Sequence, residues 1–400
     1  MKSLQIVGDS PYGGGDYLII RWCRFLLSQG WQVDILATDP SCTVELNKIS
    51  GLNIITNILI PRNIALLKDL QAFFQIIRLL RKGHYDVVHT YTATPGFLGR
   101  LAAFLTGVPV ILHHQAGWTV TEFSGLKERI IYTPLEYLAT AVSTKAICVS
   151  YATEQQAHIH HIAPPSKLKI ICNGIEPEPF IAASQNGSRN AFRKDLGFPD
   201  NHILLGNTGR LAPQKDNGSL IRAIPFLKSL LPNTPFTLLL AGNGSDRHDL
   251  EDLISSLKIS EHVSLLGFVE DIPAFLAAID IFVSPSLWEG MSISLLEAMA
   301  SCKPIVTTSI LPNAELIEHE VTGLIVPPQS PELIANSIAR FVQDPDLANN
   351  CSTAARLRVL DRYTIDRMFK ETFDLYLDSL KKKKHWIDHP FKVPSRNNET

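Results

Sequence analysis

The chain has 400 residues, 45% hydrophobic and 19% charged, which excludes a disordered or fibrous protein and leaves room for two cored domains. A formal net charge of −2 excludes a global electrostatic drive toward nucleic acid. The charge is nevertheless uneven, with 15 Lys/Arg against 11 Asp/Glu through residue 175, a surplus of +4 that leaves −6 for the remainder. Six scattered cysteines with no Cys-x-x-Cys, no visible secretory leader and no apolar run of the ~18 residues a membrane span needs predict a cytoplasmic, reducing setting.

Strand-like and helix-like segments alternate along the chain, which predicts parallel sheets flanked by helices. Leu4–Val7 reads as the first strand, followed by the loop Gly8-Asp-Ser-Pro-Tyr-Gly-Gly-Gly15 and a helix from about Tyr17 to Gln29. Val33–Leu36 is the next strand, and a long amphipathic helix, Ile64–Lys82, precedes the strand Asp86–His89. The strand Val108–Leu112 ends in His113-His114, a helix around Leu126–Thr140 leads to Ala146–Val149, and Lys169–Cys172 closes the half. Turn chemistry between residues 175 and 190 breaks this rhythm and sets a domain boundary. The pattern restarts at Ile203–Gly206 and repeats through Phe236–Leu240, Val263–Leu266, Ile281–Val283, Ile305–Thr307 and Leu324–Val326. After Pro345 only helices remain, to about Leu380, before a polar tail. The expected division is therefore residues 1–175, residues 176–362, a helix over 363–380 crossing back to the first domain, and a tail over 381–400. Two doubly wound halves meeting at their strand ends would enclose a deep cleft, a preferred ligand site.

The stretch Ser284-Pro-Ser-Leu-Trp-Glu-Gly-Met-Ser-Ile-Ser-Leu-Leu-Glu297-Ala-Met-Ala300 reads as strand, loop and helix, with Ser292 or Ser294 as the N-cap. Glu289 falls in the loop at the strand's carboxyl end, and Glu297 about one turn into the helix. Ligands of open α/β sheets bind at that edge, where a helix N-terminus favours an anion. Two carboxylates beside it suit a ligand with phosphates and many hydroxyls, such as a nucleotide sugar; an ordinary solvated helix is the plain alternative.

Other segments carry weaker signals. Gly13-Gly-Gly15 follows the first strand, and glycines there allow close backbone approach to a ligand, or simply a tight turn. The string is not Gly-x-Gly-x-x-Gly, which disfavours a dinucleotide-binding dehydrogenase. Gly209-Arg210-Leu-Ala-Pro-Gln-Lys215-Asp216 follows the first strand of the second half. The Arg210 fork and the Lys215 point charge suit a diphosphate, or are two solvated cations. His89, His113 and His114 follow strands and offer imidazoles to sugar hydroxyls or to backbone groups. His158-Ile-His160-His161 reads as an exposed turn. Lys381-Lys-Lys-Lys384 beside Trp386 and Arg78-Leu-Leu-Arg-Lys82 resemble membrane-surface patches, or solvated ends.

Together these strings resemble the retaining two-domain glycosyltransferases of family 4, also called glycosyl transferases group 1. The hallmark Glu-x7-Glu is Glu289 and Glu297 within "SPSLWEGMSISLLEAMA". Around it stand "NGI" at Asn173–Ile175, "GRLAPQKD" from Gly209, "LLAGNGSDRHDLE" from Leu239, "VSLLGFVEDIPAFLAAIDIFV" from Val263, "VTGLIVPP" from Val321 and "DVVHTYTATPGFLGRLAA" from Asp86. The resemblance implies the α/β fold called GT-B, two Rossmann-like doubly wound parallel-sheet domains facing a deep interdomain cleft. It implies a hexosyltransferase that moves a sugar from a nucleotide diphosphate sugar to an acceptor hydroxyl with retention. The basic first half and the lysine tail point to a glycan or lipid-linked acceptor, of polysaccharide, lipopolysaccharide or glycolipid synthesis, met by a cytoplasmic enzyme peripheral at the inner membrane face. By the same resemblance Arg210 and Lys215 neutralise the donor diphosphate, Glu297 binds the ribose and Glu289 faces the transferred sugar. Backbone N–H groups of Gly290, Met291, Ser292 and Ile293 cap the phosphates and sugar. Gly14 and Gly15 border the phosphates, Gly209 opens the cation loop, and Phe268 and Val269 lie near the base. No cofactor and no metal is expected, in line with the missing Asp-x-Asp.

Three departures from the family pattern stand out. Relatives carry His directly before Gly after the "VPV" strand, whereas here Ala116 holds that place and His114 is the nearest candidate. Leu311-Pro312-Asn313 replaces a Gly-Gly, and Cys302 stands where Gly is common. The rival readings are a nucleotide-sugar epimerase of the same architecture and a catalytically silent subunit that binds nucleotide or glycan.

Overall fold

The computed structural model describes residues 1–8, 14–60, 65–120 and 124–388, with the backbone path alone over 384–388. The chain divides into two compact units. Unit 1 holds Met1–Val149, Glu154–Ile171 and the chain from Phe369, and unit 2 holds Ser150–Thr153 and Cys172–Met368. This division lies just upstream of the linker at 175–190, and it returns the chain to unit 1 at Phe369, within a helix.

Unit 1 is built on seven parallel strands: β1 (Lys2–Gly8), β2 (Gln32–Ala37), β3 (Asn53–Ile55), β4 (Val87–Thr90), β5 (Val110–Gln115), β6 (Lys145–Cys148) and β7 (Leu168–Ile170). Their order is β3-β2-β1-β4-β5-β6-β7. Apolar side chains such as Leu4, Ile6, Ile35, Val87 and Val88 are fully buried, as strands covered on both faces require. Unit 2 carries six: β8 (Ile203–Thr208), β9 (Phe236–Ala241), β10 (Val263–Gly267), β11 (Ile281–Ser284), β12 (Ile305–Thr308) and β13 (Leu324–Val326), in the order β10-β9-β8-β11-β12-β13. All its pairs are parallel. This is the doubly wound order, in which the winding direction reverses between β8 and β11.

The long last helix, Ile365–Asp388, packs on unit 1 through aromatic rings. Phe369 and Tyr376 lie 5.3 and 5.4 Å from the Trp22 ring, and Phe373 lies 5.6 Å from Phe25 and 6.0 Å from Trp31. The Tyr376 hydroxyl accepts the Trp22 indole N–H at 3.3 Å and lies 2.8 Å from His89 Nδ1. Tyr91 donates to Gln5 Oε1 at 2.9 Å, so the buried polar groups at the helix contact are tied to the sheet.

Three local expectations change. The helix does not stop near Leu380 but runs through the lysines to Asp388, because Lys is a good helix former and no Pro or Gly interrupts it. His113 and His114 sit inside β5, in register with Ala146 and Ile147, instead of following the strand. His158 and Ile159 close the helix Tyr151–Ile159 instead of lying in a turn. The long helix of unit 1 covers Leu66–Gly83, and its expected start at Ile64 lies outside the described residues, as does Gly13.

Candidate active site

At the carboxyl edge of the unit 2 sheet, the loops after β8 and β11 leave the two strands that flank the switch point. The loop after β8 needs glycine backbone. Gly209 has φ +139°, and a Cβ on Gly242 would sit 1.8 Å from Gly209 O, so the loops after β8 and β9 touch main chain to main chain. Leu211 N donates to Asn243 O at 3.0 Å and Asp246 N to Leu211 O at 3.0 Å, which holds this first turn in place. A short 3₁₀ turn, Pro213–Lys215, then aims Gln214 and Lys215 at the loop after β11.

There the Lys215 ammonium meets Glu289 Oε1 at 2.5 Å, with the two side chains 14% and 8% exposed. Glu289 receives two more donors: Ser286 Oγ at 2.9 Å on Oε1 and Gln214 Nε2 at 3.2 Å on Oε2. Gln214 also bonds Trp288 O at 2.9 Å, and Leu287 N bonds Gln214 O at 2.9 Å, so the two loops are stitched by main chain as well. An ammonium has three protons, and Glu289 uses one of them.

A second tier fixes Ser286. Thr308 Oγ1 donates to Ser286 O at 2.6 Å and Thr307 Oγ1 to Ser284 O at 3.0 Å, while Asn313 Nδ2 bonds both threonine hydroxyls, at 2.9 and 3.2 Å. All are buried. Asn313 belongs to the Leu311-Pro312-Asn313 departure, so the residues in place of Gly-Gly brace the loop that carries Glu289. Gln214, Ser286, Thr307, Thr308 and Asn313 were not singled out as site residues from sequence. The signals were the Ser-x-Ser ending of β11 and the Gln next to Lys215.

The helix Ile293–Ala300 follows, with Ser292 as N-cap, its hydroxyl accepting Leu295 N at 3.4 Å, while Ser294 Oγ lies 3.1 Å from Ser292 Oγ. Gly290, Met291 and Ser292 are buried and Ile293 is half-buried. Gly290 O accepts from Ser150 Oγ at 2.7 Å. Glu297 sits one turn in. Burial pushes its carboxyl up to about 8 against a smaller opposing pull from Lys215, so a proton resides there at neutral pH.

The remaining candidates are placed as follows. Arg210 is exposed and has no ion pair among the described residues, so Lys215 alone of the two cations joins the Glu289 cluster. Phe268 follows β10 with 73% of its surface open, and Val269 beside it is half-buried. In unit 1, Gly14 and Gly15 are exposed in the first turn of the helix Gly14–Ser28, and no atom lies within 4 Å of where a Gly15 Cβ would be. His114 is half-buried near the end of β5, its ring 5.8 Å from Tyr91 and 6.2 Å from His89. Among the described residues, no three His, Cys, Asp or Glu converge as metal ligands.

Two family models match the chain: Glycosyltransferase Family 4 over residues 12–179 and Glycosyl transferases group 1 over residues 188–358. The UDP-Gal:alpha-D-GlcNAc-diphosphoundecaprenol alpha-1,3-galactosyltransferase of Escherichia coli is 31% identical over 79% of this chain and 81% of its own. An uncharacterized glycosyltransferase of Methanocaldococcus jannaschii is 31% identical over 73% of this chain and 75% of its own. Among solved structures, Anabaena Alr3699/HepE in complex with UDP-glucose superposes with a TM-score of 0.80 at 20% identity, covering 95% of this chain and 99% of that one. The two parallel sheets are those of the GT-B fold, and the chain belongs to the family-4, group 1 glycosyltransferases.

Proposed function

We propose that this glycosyltransferase moves a hexose from a UDP-sugar to a hydroxyl of a lipid-linked glycan, with retention of configuration, at the cytoplasmic face of a membrane. The observation that carries the reading is the Lys215–Glu289 pair, braced by Gln214 and Ser286 at the switch point of the unit 2 sheet. Lys215 has two protons left for diphosphate oxygens, and Arg210, without an ion pair among the described residues, offers its guanidinium for the same task. Glu289, held from three sides, presents a fixed acceptor to the hydroxyls of the sugar. Glu297 serves the ribose, Gly290 to Ile293 supply N–H groups to the phosphates, and Phe268 and Val269 border the base. The uridine donor is supported by the UDP-glucose bound in the Anabaena structure, and the lipid-linked acceptor by the name of the Escherichia coli enzyme.

In the transfer, the bond from the anomeric carbon to the diphosphate oxygen breaks and the acceptor oxygen bonds the same carbon from the same face. The acceptor proton passes to the departing phosphate oxygen. Lys215 and Arg210 stabilise the charge that grows on the leaving group, the role a metal ion fills in other transferases. We therefore propose a reaction without metal or cofactor.

A thermal-shift comparison of UDP-, GDP- and ADP-sugars tests the donor, since a ligand selective for the native state raises the melting temperature. UDP-glucose or UDP-galactose should raise it and the others should not. Turnover with a lipid-diphosphate glycan, insensitive to EDTA and giving an α-linkage by NMR, is the expected result. Conversion of the UDP-sugar alone into its epimer would instead establish the epimerase reading.

A further inference from the structure

The residue after Glu289 is held from another part of unit 2. Ser150–Thr153, which open the helix Tyr151–Ile159, belong to that unit. Ser150 Oγ donates to Gly290 O at 2.7 Å, and Thr153 Oγ1 reaches the same carbonyl at 3.4 Å. Both side chains are buried. Ser150 Oγ also accepts Thr153 N at 3.0 Å and lies 2.7 Å from Thr153 Oγ1. A hydroxyl has one proton and two lone pairs, so with Thr153 filling the lone pairs the Ser150 proton is committed to Gly290 O.

Glu315 fixes this pair. A helix leaves its first N–H groups without partners of its own. Ser150 takes the one at Thr153, and Glu315 takes the two before it, Tyr151 N at 3.2 Å on Oε1 and Ala152 N at 3.1 Å on Oε2. A carboxylate there also meets the positive pole of the helix. Glu315 is anchored in turn, because Arg358 Nη2 donates to its carbonyl at 2.9 Å. Glu315 and Asn313 lie on one short helix, Leu311–Leu316. That helix reaches the loop after β11 twice: through the threonines to Ser286 ahead of Glu289, and through Ser150 to Gly290 behind it. The Gly290–Met291 peptide is trans and planar, so a clamped carbonyl fixes the direction of the Met291 N–H, which points the opposite way. Met291 is 5% exposed, and its N–H has no acceptor among the described residues. A buried N–H without a partner is rare in a folded chain and marks a place for an acceptor from outside it.

We infer that Ser150 and Thr153, locked by Glu315, are positioning residues of the donor site: they hold the Gly290 carbonyl so that the Met291 N–H is presented to the donor diphosphate. This deepens the proposed function and rests on it. A preset N–H needs no reorganisation when negative charge grows on the departing phosphate, whereas a loose peptide would first have to turn toward it. The turn is thus fixed on both sides of its carboxylate, at the Glu289 side chain by donors and at the next peptide by its oxygen.

The test uses the full chain isotopically labelled at the methionine nitrogens, so that the amides of Met291, Met299 and Met368 report by NMR, with Met291→Leu identifying the first. Ser150→Ala with Thr153→Val should displace the Met291 signal in the free protein and leave Met368 in place, which shows a folded unit. Saturating UDP should move the Met291 signal of the wild type and move that of the variant less. In turnover, kcat should fall ~10-fold while KM for the UDP-sugar stays within about twofold, and UDP, which carries the charge that develops only in transfer, should bind ~10-fold more weakly. Glu315→Gln, which leaves one helix N–H without an acceptor, should show the same pattern in smaller measure, and Ser150→Thr should keep most of the rate. Where the double variant loses the Met368 signal, Ser150→Ala alone makes the comparison. A Met291 signal that the variants leave in place, or a lowered melting temperature with kcat and UDP affinity unchanged, overturns the inference while leaving the transferase reading in place. A wild type whose Met291 signal does not respond to UDP overturns the donor site itself.

Discussion

Lys215 and Glu289 stand 74 positions apart in the chain and meet at 2.5 Å, each delivered by the loop of a strand that borders the reversal of the unit 2 sheet. The two act as one unit, so their effects should not add. Lys215→Ala and Glu289→Ala are each expected to lower kcat by at least ~100-fold, the scale of losing a contact made to developing charge. The double variant should be little worse than either single one, because the survivor has lost its partner already. Steady-state kinetics on the three proteins, with UDP-sugar and lipid-diphosphate glycan, measure this directly. Near-normal turnover in both single variants would remove the pair from the chemistry.

Among the described residues, Thr308 reaches Glu289 through Ser286. Thr308→Val keeps the shape and deletes the 2.6 Å bond to Ser286 O. The expected outcome is a loss of ~10-fold in kcat from a loosened carboxylate, with KM for the donor unchanged. Asn313→Ala, which frees both threonines, should match it, whereas Thr308→Ser should restore most of the rate. A variant that loses melting temperature but not kcat would mark Thr308 as merely structural.

Glu297 makes stability depend on pH. Its carboxyl titrates near 8 in the folded chain, against an ordinary 4.5. Between those values the native state holds a proton that the unfolded chain has released, so this residue's contribution is full below about 4.5 and declines as pH rises through 8. Glu297→Gln should flatten the fall in melting temperature between pH 6 and 8.5. If UDP ribose takes the ionised carboxylate, wild-type affinity for UDP should also rise over the same range and the Gln variant should not follow.

Unit 1 carries the opposite dependence. Burial holds His89 and His113 well below the ordinary imidazole value of 6.5, with smaller like-charge effects, from His114 on both and from Arg100 on His113. Unfolding lets each take up a proton once pH falls below about 6.5, so their stabilisation is complete above that value and is lost as pH drops. Melting curves from pH 7.5 to 5 should show an acid-labile transition that His89→Gln with His113→Asn shifts to lower pH.

Much of this architecture is written locally. Alternating apolar runs and breaks gave both sheets, and the Glu289–Glu297 spacing together with the cation loop located the edge where they gather. What bracing surrounds Glu289 was not legible, because Ser286, Thr307, Thr308 and Asn313 are ordinary polar residues until strand order makes them neighbours. Arg210 and Lys215 look alike in the loop, yet the 3₁₀ turn at Pro213–Lys215 sends only Lys215 onto Glu289. Cys302 stands where Gly is common, and its φ of +55° supplies the reason: the backbone there is left-handed. The lysines after Leu380 read as a solvated end because composition alone cannot tell a free tail from the last turns of a docked helix.

That docked helix has a consequence for how the molecule is made. Trp22, Phe25 and Trp31 are translated before any strand of unit 2, but Phe369, Phe373 and Tyr376, which cover them, follow every one of those strands. The second sheet can therefore mature while the first still waits for its lid of aromatic rings. A nonsense codon between Asn313 and Phe369 would leave the tryptophans facing water and the nascent product a client for chaperones, even with every residue of the Lys215–Glu289 cluster already synthesised.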